Sequence, residues 1–179
     1  MTDRLIPIAC IAACAGLFAG CGGVSTTRIA TDQVQVANHL ARCVDVKVAG
    51  GADQSALFAF EATTKKYDTA LRKMIATSKV FSGFCAKGQP GMRLDVTVFK
   101  RSQSQPNGML EMTSVVPVNW RLANPATGQV LYQQRLDGTG TKKTLSGPGR
   151  IIQSTELAMR DSIVRGLEAI SRLSLTNAP

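Results

Sequence analysis

Over thirteen positions in the middle of the chain, Leu110, Met112, Ser114, Val116, Val118, Trp120 and Leu122 hold one face of an alternating pattern. A period of two sends successive side chains to opposite faces, so this stretch reads as one long strand with a buried side. Before it, Leu94, Val96 and Val98 alternate with Arg93, Asp95 and Thr97. Gln105-Pro106-Asn107-Gly108 makes the turn between the two, because proline presets φ and Asn-Gly accepts positive φ. After it, Asn124-Pro125-Ala126-Thr127-Gly128 is a second turn, and Val130, Tyr132, Gln134 and Leu136 continue as a third strand with a weaker apolar face. Three such strands form an antiparallel meander. Pro117 has no N–H to give a ladder and implies an edge or a bulge at that point. Thr141 to Arg150 is polar, contains Gly147-Pro148-Gly149, and is expected to be a mobile loop.

On either side of the meander the period changes. Leu57, Phe60, Thr64, Tyr67, Leu71, Met74 and Ser78 recur every three or four residues, with Lys65, Lys66, Arg72 and Lys73 off the stripe. That is an amphipathic helix, for which Asp53 or Ser55 can serve as a cap. Ile152, Thr155, Met159, Ile163, Leu167, Ile170 and Leu173 form a second helical stripe. Val44 to Val48 alternates as a strand, Val80 to Phe84 reads as a short strand, and Asp32 to Arg42 fits helix and strand equally. The expected fold class is α+β: a two-layer sandwich with a mainly antiparallel sheet of about four to five strands and two long helices on one face.

The N-terminus has the layout of a secretory signal. Arg4 precedes an uncharged stretch, Leu5 to Ala19, that is too short and too rich in Ala and Gly to span a membrane well. It ends in Leu17-Phe18-Ala19-Gly20-Cys21, which resembles a bacterial lipobox, with Phe18 where leucine is commonest. The resemblance implies removal of residues 1–20 and acylation of Cys21, so that the protein is tied to a membrane without crossing it. Gly22 in place of an aspartate implies an outer-membrane address on the periplasmic side. Residues 21–33 are Gly-, Ser- and Thr-rich and are expected to be a flexible tether, leaving 34–179 as a single domain.

About 160 residues remain after cleavage, enough for one domain with a real core. The net charge is +9, which favours anionic neighbours such as lipid headgroups or glycans. The cations are scattered in runs no longer than two, and a periplasmic address excludes nucleic acid as a natural partner. Cys43 and Cys85 are the cysteines left in the body, and an oxidising periplasm makes them a candidate disulfide. It would close a loop of about 40 residues, contributing about 3–4 kcal/mol on the chain-entropy model.

Three passages carry a family resemblance: Ala70 to Phe81, Arg93 to Val98, and Asn119 to Leu131 followed by the last helix. With the lipobox they resemble small envelope lipoproteins of the curli-secretion-lipoprotein-like group and the auxiliary lipoproteins of ABC-type lipid transporters. The resemblance implies a periplasmic α+β domain that docks onto or assembles with other envelope proteins, with no catalytic residues to carry over. Pore-forming relatives add long membrane-inserting hairpins, for which this chain is too short.

Chemistry-bearing constellations are sparse. His39 and Cys43, four apart, would share a helical face as a base and a thiol if that segment were helical and Cys43 free. One histidine and two widely spaced body cysteines match no zinc pattern. Gly138-Thr139-Gly140-Thr141-Lys142-Lys143-Thr144 departs from a phosphate loop because Thr141 separates Gly140 from Lys142. Asp45, Asp95 and Glu111 lie on strands opposite the apolar face, where two acids could approach as in a glycosidase. Trp120 is in phase with the core. No cofactor and no metal are expected.

The function expected from the sequence is a non-enzymatic, outer-membrane-anchored binding, assembly or transport accessory. A small envelope hydrolase or acyltransferase is the alternative. Its partner would be an envelope protein or a second copy of the chain, with anionic lipid or glycan also possible. Val130, Tyr132 and Gln134 mark the candidate partner edge, since a terminal strand can accept another.

Overall fold

The computed structural model of the chain describes residues 24–31, 33–50, 60–103, 111–143, 145 and 147–173. Cys21, the proposed caps Asp53 and Ser55, Leu57, and the turn at 105–108 lie outside the described residues.

The fold is α+β, with helices packed on one side of a mostly antiparallel sheet. The strands are β1 (Val44–Gly50), β2 (Met92–Val98), β3 (Ser102–Gln103), β4 (Glu111–Ala123) and β5 (Val130–Lys143). The helices are α1 (Thr26–Ile29), α2 (Phe60–Ser78) and α3 (Gly147–Ser171). β1 and β2 run parallel, joined through α2, while β2–β4 and β4–β5 are antiparallel. β2 and β3 occupy the same flank of β4 in succession, so the lanes run β1, β2 with β3, β4, β5.

Register places Val44, Val46, Leu94, Val96, Val98, Val116, Val118, Trp120, Leu122 and Leu136 on one buried face. α2 lays Tyr67, Ala70, Leu71, Met74 and Ile75 against it, and α3 lays Ala158, Met159, Ile163, Leu167 and Ile170. Between the helices the Tyr67 hydroxyl lies 2.9 Å from Ser162 Oγ, and that serine donates onward to the Met159 carbonyl. Burial holds the phenol in its neutral form, pushing its pKa far above the ordinary value.

Of four local expectations, two are corrected and one, the bulge at Pro117, is met. Val80 to Phe84 is not a strand; it makes isolated bridges, Leu40 to Phe81 and Val44 to Phe84. Pro117 sits within the interior strand β4, opposite the place where β2 ends at Val98 and β3 begins at Ser102. One extra residue on that flank makes a bulge, the Pro117 carbonyl accepts from Phe99 N–H, and no ladder donor is needed there. The polar stretch Thr141 to Arg150 is mostly regular, because β5 continues to Lys143 and α3 begins at Gly147.

The fourth concerns the segment expected to be a tether. From Val24 onward the segment is docked on α3. Glu156 accepts from Ser25 N–H and pairs with Arg28 at 3.4 Å. Gln35 N–H reaches Glu168 at 3.2 Å, and Ala37 N–H reaches Ser171 at 3.1 Å. Ile29 is fully buried in the core, a burial that stabilises by about 1.5–3 kcal/mol.

Candidate functional site

The two outer strands of the sheet are finished differently. At β1, Val44 already bonds the 83–85 segment through both N–H and C=O. Arg72, reaching over from α2 and held by Asp68 at 2.9 Å, donates to the Val46 carbonyl at 2.7 Å. The first half of that edge is occupied.

β5 forms the opposite edge, and α3 closes only part of it. Asp161 accepts from Thr139 N–H at 3.0 Å, and Arg165 donates to the Asp137 carbonyl at 3.1 Å. Antiparallel pairing alternates residues that bond inward with residues that face out. Asp137 stands opposite Pro117 and bonds α3 instead, so the outward phase on β5 is Gln133, Arg135, Asp137, Thr139, Thr141 and Lys143. Of these groups, α3 takes the Asp137 carbonyl and the Thr139 N–H. Among the described residues no hydrogen bond covers the backbone of Gln133 or Arg135.

Tyr132 and Gln134, named from the sequence, stand opposite Leu122 and Trp120 in the inward phase. Their side chains share the face that carries Leu136, near the rim of the helical layer. There the Tyr132 hydroxyl donates to Gln134 Oε1 at 2.9 Å. Partial burial raises the phenol pKa and the nearby Arg165 charge opposes the rise. Val130 is 42% exposed at the strand's start. Val130, Tyr132 and Gln134 lie on this edge strand, whereas the outward-facing backbone groups belong to Gln133 and Arg135. Only the register, shifted by a bulge between Leu122 and Ala123, reveals that phase.

The solvent face of the sheet offers no acid pair. Asp45 stands opposite Arg93, and Asp95 is held by Arg93 at 2.9 Å and Arg121 at 3.5 Å. Glu111 meets Lys143 at 2.9 Å, and Asp137 meets Arg135 at 3.4 Å. His39 places Nδ1 2.7 Å from the Lys79 carbonyl, and Cys43 is bonded to Cys85, so no thiol–base pair forms. The described residues hold no group of three or more candidate metal ligands. Nor is any described helix long and apolar enough to cross a membrane.

Gly138 and Gly140 belong to β5, not to a phosphate loop. A Cβ at Gly138 would lie 2.1 Å from the Ala158 carbonyl oxygen, and one at Gly140 2.2 Å from that of Ser154. Their role is close approach of strand and helix backbones, which only glycine permits. Ser114, out of character on an apolar face, meets Ser154 at 2.7 Å in the same contact.

No family model matches the chain, and no curated protein matches it. Solved structures share its fold. A Xanthomonas campestris protein of the family DUF330 superposes with a TM-score of 0.54 at 11% identity, covering 75% of this chain and 87% of that one. A minor lipoprotein from Acinetobacter baumannii gives 0.52 at 13% identity, covering 73% and 92%. A hypothetical protein from Chlamydia trachomatis gives 0.51 at 10% identity, covering 76% and 99%. At these identities the likeness is one of fold alone.

Proposed function

We propose that this chain is a lipid-anchored envelope protein, held through Cys21 at the periplasmic side of the outer membrane. It acts without catalysis, as an assembly or transport accessory that binds another envelope protein by strand addition. The half-closed edge of β5 carries this reading: α3 takes the Asp137 carbonyl and the Thr139 N–H, while Gln133 and Arg135 present backbone donors and acceptors outward. An added strand gains main-chain hydrogen bonds there and takes specificity from flanking side chains. The fold shared with a lipoprotein, and the engagement of His39 with Lys79 and of Cys43 with Cys85 rather than with each other, support the reading.

A photo-crosslinking residue in place of Gln133 or Arg135, in intact cells, should capture a protein, and the same residue at Lys47 should not. Gln133→Pro should abolish capture by a crosslinker at 135. Its N–H faces away from β4, so proline there spares the inner ladder. Capture of lipid alone at both positions would refute the accessory role.

A further inference from the structure

We propose that the outer surface of the helical layer, with α2 Lys65, Lys66 and Lys73 at its centre, rests on anionic phospholipid headgroups. The inference rests on Cys21 being the anchored residue. Its first support is reach. Three Cα–Cα steps separate Cys21 from Val24, spanning at most about 11 Å when extended. Val24 packs against the core, and the next residues are fixed by Ser25 and Arg28 on Glu156. That docking lies on the side of α3 away from the sheet, because Ile29 is buried against the helices while the opposite side of α3 packs on β4 and β5. A helix is itself about 10–12 Å across. So short a leash therefore brings the helices to the headgroups and keeps the open sheet face away from the same bilayer.

The second support is charge. Lys65 and Lys73 are exposed on the side of α2 opposite its buried stripe of Tyr67, Leu71 and Met74. Among the described side chains, none of the three α2 lysines has a carboxylate in ion-pair range. On the sheet face, by contrast, Arg93, Arg121, Arg135 and Lys143 all hold acids. Unpaired basic side chains close to an anionic bilayer are attracted to it within a screening length.

The acylated protein, purified from membranes, is reconstituted into vesicles of phosphatidylcholine with or without phosphatidylglycerol. Its lysines are then labelled with an amine reagent and read by mass spectrometry. On phosphatidylglycerol vesicles, labelling of Lys65, Lys66 and Lys73 should fall several-fold, while Lys47 and Lys143 are unchanged. At about 1 M salt, where screening shortens to about 3 Å, the protection should vanish although the protein stays on the vesicles. The Lys65→Glu/Lys73→Glu variant alters only exposed positions, and in it Lys66 should regain its free rate. Uniform labelling, protection of Lys47 instead, or protection of the α2 lysines in cells but not on vesicles would overturn the proposal. A Cys21 peptide without acyl mass would remove the anchor itself. An acylated peptide with the wrong lysines protected would remove only the orientation.

Discussion

Glu156 and Arg160, one turn apart on α3, hold opposite ends of the single-turn helix α1. Glu156 accepts from Ser25 N–H at its start, and Arg160 donates to the Arg28 and Ile29 carbonyls at its end. A helix this short makes few internal bonds, chiefly Ile29 N–H to the Ser25 carbonyl and Ala30 N–H to that of Thr26, so it depends on such outside groups. The Glu156 side chain is only 2% exposed, so removing it leaves Arg28 and the Ser25 amide without a partner. Glu156→Ala should cost about 1–3 kcal/mol in chemical denaturation. It should also speed amide exchange between residues 24 and 37, with β1 to β5 unchanged.

Gly166 faces the Trp120 indole, and a Cβ there would lie 2.5 Å from two ring carbons. By helix propensity alone, Gly166→Ala would stabilise by up to about 1 kcal/mol. Overpacking costs about 1–3 kcal/mol and decides the sign. The variant should be less stable than the parent and its tryptophan emission should shift to the red. A gain in stability would disprove the contact.

Cys43 and Cys85 join the start of β1 to the segment before β2 across a separation of 42 residues. The double Cys43→Ser/Cys85→Ser variant should lose about 4 kcal/mol. Gly91 stands over the bond, where a Cβ would approach Cys85 Sγ to 2.1 Å. Gly91→Ala should therefore destabilise the oxidised protein more than the double-serine variant, as denaturant midpoints of the two backgrounds would show.

Tyr67 links stability to alkaline pH. Its phenol titrates far above the unfolded value of about 10, since burial opposes ionisation more than the Ser162 bond favours it. The unfolded chain then loses the proton first, so the Tyr67 contribution to stability is constant below about pH 10 and falls as pH rises beyond it. Tyr67→Phe should be less stable than the parent at pH 7, having lost the Ser162 bond, and should show a shallower decline above pH 10. Denaturation curves at pH 7, 9 and 10.5 would test both slopes.

The layers of this fold are readable in the residues because their causes are local. Leu110 to Leu122 alternates, Tyr67 to Ile75 recurs at helical spacing, and both patterns point to the faces that the structure buries. What stays hidden has distant causes. Val24 to Thr31 is composed like a linker, yet Glu156, 131 residues from Ser25, decides that it is bound. Gly138 and Gly140 look like loop residues because nothing nearby in the chain announces that α3 presses on them. The outward phase of β5 depends on the register set by the bulge at Leu122 and Ala123. A period of two marks the two faces of a strand but not the direction in which its amides point.

The stopper that α3 places on the far half of β5 has a protective consequence. An unbroken fourteen-residue border would invite copies of the chain to stack rung upon rung into fibrils. With Asp161 and Arg165 occupying the rungs at Thr139 and Asp137, a visiting segment finds room for only a short stitch on either side of them. The same arrangement that admits a brief guest therefore denies a foothold to open-ended growth.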